Sequence, residues 1–140
     1  MTTLTYSDDH IRHILTTVRT IALVGASDNK ERPSHEVMEF LQHKGYRIIP
    51  VNPRLAGQSI LGETVYADLK SIPEAIDMVE LFLNPTLVDT PVDEAIAIGA
   101  KVVWMQIGVV NEAAAEKAEA AGLTVVMNRC PKQEIPRLGL

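Results

Sequence analysis

A chain of 140 residues, 46% hydrophobic and 22% charged, is long enough for one domain with its own core and too apolar to stay disordered. Thirteen Lys and Arg against 18 Asp and Glu leave a net charge of −5, which excludes the basic footprint of a nucleic-acid or anionic-membrane binder. No apolar run approaches the ~18 residues of a membrane span. The first ten residues lack the basic-then-apolar layout of a signal peptide, and the single cysteine, Cys130, excludes an internal disulfide or a cysteine-rich zinc site. A cytoplasmic single domain over residues 1–140 is expected.

Elements follow one another with clear punctuation. Ser7-Asp8-Asp9 offers a cap, and Ile11, Ile14, Leu15 and Val18 then mark one helical face. Thr20 to Val24 is a continuous apolar run ending at Gly25, the pattern of a strand buried on both faces. A polar loop leads to Pro33, suited to a first helical turn, and that helix runs to Lys44 and stops at Gly45. Arg47 to Val51 is the second strand, and its Pro50 argues against a fully central ladder position. Gly57, Gly62 and Pro73 break the next segment into a turn or small hairpin, with a short helix expected near residues 72–76.

Met78 to Leu83 reads as the third strand. Thr90-Pro91-Val92-Asp93 reads as a helix start with threonine as cap, and that helix ends at Gly99. Val102 to Ile107 is the fourth strand. Asn111 caps an alanine-rich helix to Ala121, and Leu123 to Met127 is the fifth strand, followed by a proline-containing tail. Strands and helices in alternation give an α/β fold, a Rossmann-like, three-layer, doubly wound parallel sheet of five strands in the order 3-2-1-4-5.

Such sheets bind ligands beyond the carboxyl ends of their strands, where the strand order reverses. After the first strand, Gly25-Ala26-Ser27 through Arg32-Pro33-Ser34 supplies a glycine turn, small residues, hydroxyls and a helix N-terminus that favours anions. It is a phosphate-cradle layout without the G-x-G-x-x-G or Walker pattern. After the second, Asn52-Pro53-Arg54 puts a neutral amide and a cation where NAD-binding folds place an acid, which suits a phosphorylated ribose, as in NADP or coenzyme A. The third and fourth ends, Asn84-Pro85 and Gly108-Val109-Val110, bring almost no ionisable chemistry and suit a long uncharged ligand arm.

V-G-A-S at Val24 to Ser27, R-P-S-H-E-V from Arg32, G-Y-R-I-I-P-V-N-P from Gly45, the run from Asp93 to Glu112 and N-R-C-P-K-Q-E-I-P-R-L-G-L from Asn128 together resemble one family. It is that of the stand-alone, YccU-like CoA-binding domain proteins, relatives of the N-terminal CoA-binding domain of the succinyl-CoA synthetase α subunit. The resemblance implies a Rossmann-like fold that binds coenzyme A or an acyl-CoA non-covalently. It implies Gly25, Ala26, Ser27, Arg32, Pro33 and Ser34 against the phosphates, and Val51, Asn52, Pro53 and Arg54 flanking the adenine and ribose phosphate. Phe82, Asn84, Ile107 and Gly108 would line the pantetheine path. The motif at Asn128 to Pro131 is similar to the synthetase's N-C-P-G region with one inserted residue, which implies Cys130 near the ligand thiol. The synthetase's active-site histidine belongs to a second domain, so no self-sufficient catalysis and no catalytic residue is expected.

Other residues support less. His10 and His13 stand three apart on the first helix, but no third metal ligand lies near them in sequence, and no metal site is expected. Ser34, His35 and Asp28 are too close along the chain for a catalytic triad, and no G-x-S-x-G elbow supports one. Trp104 and Met105 read as sheet packing. Two alternatives stay open at this point: an NAD(P)-binding oxidoreductase or redox sensor on the same fold, and a ligase subunit that needs a separate protein partner.

Overall fold

The computed structural model describes residues 5–140. Ser7 accepts the His10 amide and opens α1 (Asp8–Thr17), which turns Ile11, Ile14 and Leu15 inward. There follow β1 (Thr20–Val24), α2 (Pro33–His43), β2 (Arg47–Val51) and a hairpin of β3 (Ser59–Ile60) and β4 (Glu63–Thr64). Then come β5 (Met78–Leu81), α3 (Asp89–Ala97), β6 (Val102–Met105), α4 (Glu112–Ala120), β7 (Thr124–Val126) and α5 (Pro131–Arg137).

The large sheet is parallel throughout, in the order β2-β1-β5-β6-β7. Outside β2, Tyr66 forms a parallel bridge to Val51, donating its amide to the Pro50 carbonyl and accepting that of Asn52. With Tyr66 counted as the outermost position, the sheet shows the 3-2-1-4-5 pattern with one further strand beyond it. The third position is therefore held by Tyr66. Met78–Leu81, expected there, lies on the other side of β1. Pro50 is tolerated because only this single bridge is built on its outer side.

Alternation along the strands divides the apolar runs between two cores. Ala22, Val24, Val79, Leu81, Val103 and Met105 face α3 and α4, while Ile21, Leu23, Met78, Val102 and Trp104 face α1, α2 and α5. A sheet covered on both faces needs apolar residues at both parities, which is why its strands read as continuous runs. Trp104 is fully buried, and its indole N–H donates to the Arg129 carbonyl at 2.9 Å, so it is core packing.

Four local expectations are corrected. No helix forms at 72–76; a 3-10 turn at Leu69–Ser71 precedes it, because Asp68 accepts the Ser71 amide and hydroxyl. Thr90 does not cap α3, which begins at Asp89; Asn84 instead accepts the Thr86 amide and starts a 3-10 turn, Pro85–Leu87, that leads into the helix. The tail is a helix, α5, with Pro131 in its first turn and Ile135 and Leu138 buried in the core below α1 and α2. The third, fourth and fifth strands stop short of their expected ends at Leu83, Ile107 and Met127. No helix of the described residues is long and apolar enough to cross a membrane.

Candidate functional site

The carboxyl ends of β1, β2, β5 and β6 open into two neighbouring cavities that share Pro33 and Phe82. The first, of about 410 Å³, is polar and is lined by Gly25 to Asp28, Arg32 to Ser34, Asn52, Arg54, Leu55 and Phe82. The second, of about 430 Å³, is lined by Pro33, Phe82, Leu83, Gln106, Ile107 and Val109.

The floor of the polar cavity depends on Gly25. Its φ is +89°, and a Cβ there would lie 2.1 Å from the Phe82 carbonyl oxygen, so the ends of β1 and β5 approach as closely as they do because this residue has no side chain. The amides of Gly25 and Ala26 both donate to the Val51 carbonyl, and the Asn52 side-chain amide donates to the Ala26 carbonyl at 2.8 Å. Asn52 Oδ1 in turn accepts the Arg54 amide at 2.9 Å. Asn52 is thus a clamp between the loops after β1 and β2. Ser27 Oγ accepts the Asn29 amide and Asn29 Oδ1 accepts that of Glu31, which folds the loop toward α2.

Among the described residues this arrangement leaves the amides of Ser27, Asp28 and Ser34 without an acceptor in the chain. The first turn of α2 follows Arg32, which makes no side-chain cap. An uncapped helix N-terminus with loop amides beside it favours anions. Arg32 and Arg54 both line this cavity, and no ion pair ties either of them within the described residues. Elsewhere, Arg47 pairs with Glu63 and Glu74, and Arg137 with Asp8 and Glu134. Two free guanidiniums against one carboxylate, Asp28, make a phosphate-binding charge balance.

The second cavity carries no charged side chain. Its polar member is Gln106, 9% exposed, whose Oε1 is buried without a hydrogen-bond partner in the described residues. Ile107, by contrast, is 49% exposed. An uncharged lining with an exposed apolar surface fits a ligand arm with a hydrocarbon body.

Of the expected site residues, Gly25, Ala26, Ser27, Arg32, Pro33, Ser34, Asn52, Arg54, Phe82 and Ile107 line the paired cavity. Val51 is buried in the ladder and contributes its carbonyl to the Gly25 and Ala26 amides. Pro53 is exposed outside the lining, and Asn84 is engaged with Thr86. Gly108 donates to Asn128 Oδ1 at 2.8 Å, a contact that places Asn128 at φ 60°. That turn, with the Arg129 carbonyl held by Trp104, carries the chain into α5, and Cys130 is buried at its start, 6% exposed and lining neither cavity.

Sequence reasoning did not single out Asp28, Leu55, Leu83 or Gln106, whereas Val109 falls in the strand end read as suiting a ligand arm. Gln106 was detectable: it is the one side-chain amide at the end of the run Val102 to Ile107. His35 is buried in the first turn of α2 and lines neither cavity; His10 stacks on Tyr6.

Comparison with known proteins identifies the family and the fold. Residues 19–136 match the family described as CoA binding domain. YneT of Bacillus subtilis (strain 168) is 38% identical over 126 residues, which cover 90% of this chain and 92% of that one. A hypothetical protein from Pyrococcus horikoshii OT3 has a TM-score of 0.92 and 44% identity, covering 96% and 94% of the two chains. The dinucleotide-forming acetyl-coenzyme A synthetase 1 of Ca. Korarchaeum cryptofilum shares the fold over 76% of this chain and 25% of its own, with a TM-score of 0.65 at 19% identity.

Proposed function

Because the chain belongs to the CoA binding domain family, we propose that it binds coenzyme A or an acyl-CoA non-covalently, as a single module over residues 1–140, across the paired cavity. The observation that carries this reading is the pair of uncommitted arginines, Arg32 and Arg54, flanking the uncapped start of α2. In it, the amides of Ser27, Asp28 and Ser34 receive the pyrophosphate and Arg32 neutralises it. Arg54 pairs with the ribose phosphate, and Phe82, Leu83 and Ile107 flank the pantetheine arm. Asn52 is held by Ala26 and Arg54, and no acid stands at the end of β2 to take the diol of an NAD ribose, which favours CoA over NAD.

No His, Cys, Lys or Glu lines either cavity. The reading therefore gives the chain recognition and gives any acyl transfer to a protein partner. A cytoplasmic setting agrees with a lone, buried cysteine. The test is calorimetry on Arg54→Ala. Loss of a charge-assisted hydrogen bond should weaken CoA binding by about 1.5–3 kcal/mol. Dephospho-CoA, which lacks the ribose phosphate, should bind the variant and the parent alike. Equal losses for both ligands would assign Arg54 elsewhere.

A further inference from the structure

The two cavities divide charge and hydrocarbon between them. Every charged lining residue, Asp28, Arg32 and Arg54, belongs to the polar one. The other has Phe82, Leu83, Ile107, Val109 and Pro33 around a single amide, Gln106. Resting on the CoA reading, we propose that this second cavity takes the acyl chain beyond the end of the pantetheine arm, and that the ligand class is a CoA thioester of a short, uncharged hydrocarbon acid.

Three features support it. At about 430 Å³ the apolar cavity is as large as the polar one, and both fall in the usual range for small-molecule sites. Ile107 is one of two large hydrophobic side chains exposed among the described residues, and it stands at the mouth of this cavity rather than on a featureless surface. A hydrocarbon chain laid against it removes apolar surface on both sides from water. Gln106 is the one polar side chain of this lining, so nothing in it meets a charged acyl group. A dicarboxylic acyl group, by contrast, would carry a second carboxylate into a pocket with no cation to meet it, at a desolvation cost.

Calorimetric titration of the intact protein with CoA, acetyl-CoA, butyryl-CoA, hexanoyl-CoA and succinyl-CoA tests the proposal. Each methylene buried should tighten binding about fourfold, so butyryl-CoA should bind about tenfold or more tighter than acetyl-CoA. Succinyl-CoA should bind no more tightly than CoA itself. Ile107→Lys, a change at an exposed position, should reverse the ranking of butyryl-CoA and succinyl-CoA, each affinity read relative to that of CoA on the same variant. A flat acyl series, or succinyl-CoA equal to butyryl-CoA, with CoA still binding, overturns the acyl pocket alone. Absence of binding by every member, CoA included, overturns the CoA reading and the pocket together.

Discussion

Glu80 lies in the middle of the sheet, opposite Leu23 on β1 and Trp104 on β6, fully buried and with both carboxyl oxygens unpartnered within the described residues. Burial disfavours its charged form and pushes its pKa up to about 8, so the folded protein carries it as a neutral acid at pH 7. The unfolded chain releases that proton near the ordinary glutamate value. Between the two values the folded state holds more protons, so this group's support for the fold is present below the unfolded pKa and is lost as pH rises toward about 8. The slope approaches about 1.4 kcal/mol per pH unit. Urea melts of Glu80→Gln and the parent at pH 5 and pH 8 should show the variant gaining on the parent at the higher pH. A difference that does not change with pH would mean that Glu80 is ionised or solvated in the native state. Sequence alone concealed this residue, because a single acid in the run Met78 to Leu83 does not break the pattern of a buried strand.

At the scale of elements, α4 shows how much a cap decides. It is alanine-rich and short, and Asn111 both accepts the Ala114 amide and donates to the Pro85 carbonyl at 3.0 Å. Asn111→Ala should cost about 1–2 kcal/mol in chemical denaturation, the loss of the cap together with the bond to the turn before α3. CoA affinity should not change, since Asn111 lines neither cavity. A variant that lost affinity without losing stability would contradict the division between scaffold and site. Elements with a local signal were legible: Ser7 and Asn111 cap where their residue types predict, and Gly45, Gly99 and Gly122 follow helix ends. Elements that depend on distant contacts were not. Pro136 within α5 argues locally against a helix, but Ile135 and Leu138 reach the core and override it.

For the whole molecule, the alternation of strands and helices made the doubly wound architecture legible, but the outer position of the sheet was not. Tyr66 joins β2 through one bridge after a hairpin, and a single extended residue leaves no periodic signal. The candidate site was legible where strand ends carry loops of distinctive chemistry, as at Gly25 to Ser34 and Asn52 to Arg54. It was obscure where lining depends on side-chain direction, as at Gln106, which lines a cavity, and at Cys130, which is buried and lines neither. The motifs also could not show that Gly25, Ala26 and Asn52 use their amides to hold the two loops together, while those of Ser27, Asp28 and Ser34 have no acceptor among the described residues.

Recognition of CoA at the paired cavity is checked by the shift of the thermal unfolding midpoint with CoA and with NADH at equal concentrations. Binding to the native state alone at ~100-fold excess over the dissociation constant contributes about 2.7 kcal/mol. CoA should raise the midpoint by several degrees, and NADH should change it little. Stabilisation by NADH with none by CoA would contradict CoA recognition.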